Sequence, residues 1–142
     1  MRKILDFNAD FDNAVGDIDV ASQYQLAYQM ATKLKALTNG KDLTFVGHSL
    51  GGGLAAIASM VTGRPAMTYN PAVVMALLTK TLEQFGIKFD DSNIYKYIME
   101  GDPITRWQEE AGFHAWGNSY DVPKSNPKDK AHSIFTLFNN LK

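Results

Sequence analysis

A chain of 142 residues, 45% of them hydrophobic, is the size of one domain and buries a real core. Its 14 Lys plus Arg against 15 Asp plus Glu leave no basic field of the kind that draws nucleic acid, so no nucleic-acid partner is expected. The absence of cysteine excludes disulfides, thiolate catalysis and Cys-based zinc sites.

Taken in chain order, Met1 to Asp6 carries two positive charges but reaches Asp6 without the apolar stretch of a signal peptide. Cytoplasmic residence or export by a signal-independent route is the expectation. Val20, Tyr24, Ala27, Ala31 and Leu34 then recur at three- and four-residue spacing, which predicts an amphipathic helix with Asp17 as N-cap and Gly40 as terminator. Leu43-Thr44-Phe45-Val46 is a short apolar, β-prone run suited to a central parallel strand and ended by Gly47. Small and apolar residues from Leu50 to Met60 predict a buried helix closed by Gly63. This most apolar region is too short and too rich in glycine to cross a membrane, and no integral membrane segment is expected.

A second strand is predicted at Ala66 to Tyr69, stopping at Asn70-Pro71, with Pro71 opening a helix through Val73, Leu77 and Leu78. A third, Asn93 to Met99, ends at Glu100-Gly101-Asp102-Pro103. Trp107 to Ser133 is first aromatic, then polar and proline-bearing, and reads as a long surface loop. Ile134, Leu137, Phe138 and Leu141 predict a final short helix. The alternation of helix and strand predicts an α/β fold, a mostly parallel sheet flanked by helices, in a single domain over residues 1–142.

The chemistry centres on Gly47-His48-Ser49-Leu50-Gly51. Gly-x-Ser-x-Gly between a strand and a helix forces the serine into a strained turn that projects its hydroxyl, the geometry of a nucleophile elbow. Taken alone the pentapeptide is common, and Gly51-Gly52-Gly53 would pass for a flexible loop; the apolar strand before it and the Ala-rich helix after it favour the elbow. Gly47 and Gly51 are expected to supply the room the turn needs. The backbone N–H of Leu50, at the helix start, is the natural oxyanion donor.

A serine hydroxyl needs a histidine to take its proton and a carboxylate to fix that histidine. The chain has 3 histidines. His48 adjoins Ser49 and points away from it, so it is expected to pack or hydrogen-bond beside the elbow. His132, before the last helix, is preferred as base, because the chain order of this fold is serine, acid, histidine; His114, among Trp107, Phe113 and Trp116, is the alternative and has a simple packing role open to it. Asp102, just past a strand end, is the preferred acid, although aspartate in Gly-Asp-Pro is also an ordinary turn residue. Asp121 is the reserve. Three scattered histidines without a helical pair argue against a metal site, and no cofactor is expected.

Leu43 to Ala56, LTFVGHSLGGGLAA, closely resembles the elbow of class 3 lipases and their bacterial lipase-like relatives. QYQLAYQMATKL, GRPAMTYNPA, GDPIT and AHSIF are similar to that group in order. The resemblance implies an abbreviated α/β-hydrolase core with Ser49, Asp102 and His132 as nucleophile, acid and base, acting on lipid or phospholipid acyl esters. Relatives have earlier strands, including an Arg-Gly segment that supplies a second oxyanion donor, whereas this chain starts about forty residues before the elbow strand. Met1 to Gly16, a second subunit or a longer chain would have to supply it.

Three functions follow as expectations. The first is ester hydrolysis through an acyl-enzyme, with Phe7, Phe11, Phe113 and Trp116 as acyl-chain contacts or core. The second is a binding domain on a hydrolase scaffold that turns over slowly or not at all. The third is acyl transfer by the same triad. An unpaired sheet edge would favour a homo-oligomer.

Overall fold

The computed structural model describes residues 18–39, 42–74 and 76–141. Among them helix and strand alternate strictly: α1 (Ile18–Thr38), β1 (Phe45–His48), α2 (Leu50–Thr62), β2 (Ala66–Tyr69), α3 (Ala76–Gln84), β3 (Ile94–Met99), α4 (Pro103–Glu110), β4 (Asn118–Val122) and α5 (Ile134–Asn140). The strands form one sheet in the order β1-β2-β3-β4, parallel at every pairing. This is the expected α/β fold. Because all strands run the same way, their C-terminal ends share one edge, and the residues that follow them converge there.

The pairing register assigns side chains to faces. Phe45, Ala66 and Ile94 stand in one row across β1, β2 and β3. They join the main core with Tyr24 and Ala31 of α1, Ala55 to Ala58 of α2, and Leu78 and Leu82 of α3. The opposite face carries His48, Tyr69, Tyr97 and Tyr120 in a single row across four strands. Tyr69 stacks on Tyr97 at 5.3 Å and Tyr97 on Tyr120 at 5.4 Å, the cross-strand pairing that stabilises a sheet. A smaller core forms here from Met99, Val122, Ala131 and Leu137, with Tyr69 and Tyr97 packed against it. Thus α5 packs Leu137 against part of the face opposite the main core.

Several elements depart from expectation for identifiable reasons. β1 runs two residues later than predicted, and Gly47 lies within the strand, paired with Thr68, rather than ending it. Pro71 does not open α3: the N–H of Ala72 donates to Ser49 O at 2.8 Å and that of Val73 to Gln108 Oε1 at 2.8 Å, so tertiary partners hold this stretch until the helix starts at Ala76. The expected loop from Trp107 to Ser133 contains the end of α4 and all of β4. β4 reads Asn-Ser-Tyr-Asp-Val, with only Val122 buried, so an edge strand hides behind polar residues. Gly63 closes α2 as expected, in a left-handed conformation at φ 69°. Asp17, Gly40 and the Val20 side chain lie outside the described residues.

β1 is an edge strand of the described sheet, and its Val46 is 64% exposed. A groove of about 460 Å³ runs beside it, lined by Leu26, Met30, Val46, Gly51 and Leu54 among others. Among the described residues, no helix is long and apolar enough to cross a membrane.

Candidate active site

Ser49 sits between the last residue of β1 and the first of α2 with φ 55° and ψ −121°, a strained conformation for a residue with a Cβ. Its backbone is held from both sides. The N–H donates to Tyr69 O at 3.0 Å, while the carbonyl accepts from Gly52 N at 2.9 Å and Ala72 N at 2.8 Å. The turn therefore keeps the shape that projects the hydroxyl. Room for it comes from glycines, though not the pair expected. A Cβ on Gly47 would fall 2.0 Å from the Gly51 carbonyl oxygen, and one on Gly52 would fall 2.7 Å from Pro71 Cβ. Gly51, by contrast, has nothing within 4 Å of that position. The tight pair is Gly47 and Gly52, because α2 presses its third residue, Gly52, and not its second, Gly51, against the Pro71 stretch.

The first N–H groups of a helix have no acceptor within it. Gly52 and Gly53 turn theirs back to the Ser49 carbonyl, and the N–H groups of Leu50 and Gly51 precede them at the positive end of α2, directly after Ser49 in the chain.

His132 reaches Ser49 from the far end of the chain. Its Nε2 is 2.8 Å from Ser49 Oγ, and its Nδ1 is 2.6 Å from Asp102 Oδ1. A carboxylate only accepts, so Nδ1 carries the proton and donates it, and Nε2 is left to accept from the serine hydroxyl. Asp102 is buried, with its side chain fully enclosed against 27% exposure for that of His132. The other carboxylate oxygen accepts from the backbone N–H of Thr105 at 2.9 Å and from its hydroxyl at 2.6 Å. Asp102 is thus the N-cap of α4, with Pro103 opening the helix. The same residue that starts the helix holds the histidine.

The alternatives lie elsewhere. His114 is exposed and falls just before β4, at the edge of the sheet opposite Ser49. The aromatic cluster expected around it does not form: Trp107 is 67% and Phe113 41% exposed, and Trp116 packs edge-on against Phe89 at 5.4 Å. Trp116 also packs against the main core, and Phe7 and Phe11 lie outside the described residues. Asp121 belongs to β4 rather than to a loop and is exposed. His48 does hydrogen-bond beside the elbow, through Nε2 to His132 O at 2.7 Å. Among the described residues no cluster of metal-ligating side chains is present. Next to the site, burial first and then the neighbouring Tyr97 hold the Tyr69 hydroxyl above its ordinary pKa.

A serine in a strained turn, bonded to a histidine that is bonded to a buried carboxylate, is consistent with a Ser-His-Asp triad. Residues 2–138 match the family model of Tle-like phospholipase domains, described as phospholipase-like. The chain belongs to this family. It is 39% identical over 135 residues, 95% of its own length, to the extracellular phospholipase A1 of Serratia liquefaciens. It spans only 39% of the length of that relative. The likeness read from the elbow is to class 3 lipases and bacterial lipase-like proteins at large; the family that matches is the phospholipase-like one.

In this phospholipase-like domain, residues that sequence reasoning passed over support the site. Thr105 was legible in principle, since Asp102-Pro103-Ile104-Thr105 has the spacing of an N-cap and the residue that bonds back to it. Asn70 was visible only as a strand stop. In the structure it is wholly buried and joins the end of β3 to the segment carrying His132. Nothing in the local sequence signals that.

Proposed function

We propose that this domain hydrolyses carboxylic esters of lipids, with phospholipid acyl esters as the substrate class, through Ser49. The Ser49 hydroxyl transfers its proton to His132 Nε2 as the oxygen attacks the ester carbonyl. Asp102 holds His132 in the tautomer that accepts this proton and stabilises the imidazolium that results. Leu50 N–H donates to the oxyanion. The imidazolium then protonates the leaving alcohol, an acyl-enzyme remains, and water activated by His132 releases the acid.

The observation that carries the reading is the double hydrogen bond of His132, to Ser49 at 2.8 Å and to Asp102 at 2.6 Å. Three residues brought together from separate elements, with the donors and acceptors in the order that proton transfer needs, are hard to explain by packing alone. The family and the phospholipase relative support the lipid class. Turnover of short- and long-chain esters and of a phospholipid by the native chain and by Ser49→Ala tests it. Equal rates in the two proteins sink the proposal. Transfer to an alcohol acceptor in place of water uses the same residues, and product analysis separates it from hydrolysis.

The position of β1 at the edge of the sheet among the described residues favours one competing reading, a domain that binds its ligand with little turnover. Rapid labelling of Ser49 by a fluorophosphonate excludes it. We propose also that β1, an edge strand among the described residues, drives self-association, since edge strands invite pairing. A monomeric mass by light scattering at assay concentration refutes this.

A further inference from the structure

The base of the proposed triad stands on a weak foundation. Between Pro123 and Ser133 the chain has no helix or strand, and Ser133, the N-cap of α5, makes no side-chain capping bond. α5 itself has 7 residues and leaves Phe135 78% and Phe138 64% exposed. Reaction geometry nevertheless demands that His132 be held within fractions of an ångström.

Two side chains from the rigid sheet edge seize this segment at consecutive peptide carbonyls. Asn70 Nδ2 donates to Ala131 O at 3.0 Å, and His48 Nε2 donates to His132 O at 2.7 Å. Each anchor is itself fixed. The Asn70 side-chain oxygen accepts from the N–H of Met99, the last residue of β3, at 2.8 Å, and its backbone N–H donates to Tyr97 O at 2.9 Å. It adopts φ 43°, a left-handed conformation that asparagine tolerates better than most residues. His48 is held by its place in β1, paired with Tyr69. That register puts its ring on the same face as α5, 5.0 Å from the ring of His132.

We propose that His48 and Asn70 are positioning residues: they pin the two peptide carbonyls at the base, so that the sheet rather than the loop sets the distance from His132 to Ser49 and Asp102. The inference rests on the triad proposed above. It also assigns the histidine of the elbow a purpose other than bulk, since its work is done by one N–H. Through Asn70, the end of β3, three residues before Asp102, is tied to the residue before His132, so acid and base move as one body.

The test compares His48→Leu, which removes the donor at similar size, with His48→Gln, whose amide N–H reaches as far as the imidazole Nε2–H. Two readouts are taken, the rate of Ser49 labelling by a fluorophosphonate and the NMR signal of the His132 Nδ1 proton shared with Asp102. His48 is only partly buried, and His48→Leu is expected to melt close to the native temperature. It should label about 10- to 100-fold more slowly, the loss that a misplacement near 1 Å brings, with the Nδ1 proton signal broadened. His48→Gln should recover both. Asn70→Asp, which keeps the acceptor for Met99 N–H and removes the donor to Ala131 O, should slow labelling further.

Native labelling rate and an unchanged proton signal in His48→Leu overturn the proposal. So does a His48→Gln variant as impaired as His48→Leu, because ring packing and not the hydrogen bond would then be responsible. If the native chain is not labelled at Ser49, the proposed hydrolase reading fails, and the proton signal still decides whether His48 fixes the Asp102 to His132 contact.

Discussion

Replacing Asp102 by asparagine separates the chemical role of this residue from its structural one. Its Oδ2 accepts two hydrogen bonds from Thr105, one from the backbone N–H at 2.9 Å and one from the hydroxyl at 2.6 Å. In Asp102→Asn the amide oxygen must take this side, because an NH2 group there would face the Thr105 N–H donor to donor. The amide NH2 is thereby turned toward His132 Nδ1. That nitrogen must become an acceptor, the ring proton moves to Nε2, and Nε2–H then points at the Ser49 hydroxyl with no lone pair to receive its proton. The loss expected from the wrong tautomer is about 10⁴-fold in turnover. Stability should change little by comparison. Asparagine caps a helix as well as aspartate does, and the exchange of a charge-assisted bond for a neutral one costs about 1 kcal/mol. Fluorophosphonate labelling and ester turnover, run beside a urea melt, measure both. An Asp102→Asn protein that melts normally and labels within about threefold of native would show that tautomer control by Asp102 is not needed, against the premise that the acid fixes the base.

Two further predictions rest on the same geometry. His114 lies before β4 at the edge of the sheet away from Ser49, so His114→Ala should label at the native rate; a large fall would return it to contention as the base. Gly52→Ala should destabilise by about 1–3 kcal/mol, because its Cβ would meet Pro71 Cβ at 2.7 Å and Cα at 2.9 Å. Gly51→Ala meets open space and should be neutral, or stabilise α2 by up to about 1 kcal/mol. Urea melts of the two variants decide it, and the reverse ranking refutes the assignment of Gly47 and Gly52 as the tight pair of the elbow.

The elbow and the α/β alternation were legible because both are local. Strand, Gly-x-Ser-x-Gly and Ala-rich helix lie within twenty residues of one another, and the backbone demands of the turn are written in the residues that make it. Asp102 was chosen for its place just past a strand end and His132 from chain order, and the structure brings His132 into hydrogen-bond contact with both Ser49 and Asp102. β4 escaped notice because Asn118 to Tyr120 carry no apolar alternation on an exposed edge, and Pro71 misled because the N–H groups after it bond across the fold rather than into a helix.

By itself, then, the sequence determined which short segments have the shape for the site: the apolar strand, the Gly-x-Ser-x-Gly turn and the Ala-rich helix that follows it. Only the tertiary structure decided what depends on residues far apart in the chain. The parallel register places His48 on the face of α5. The burial of Asn70 turns a turn residue into a brace. Pro71 limits the steric room at Gly52, while Gly51 faces open space. Hydrogen bonds between such residues have no periodicity and leave no pattern in the sequence; they exist because the sheet brings its strand ends to one edge.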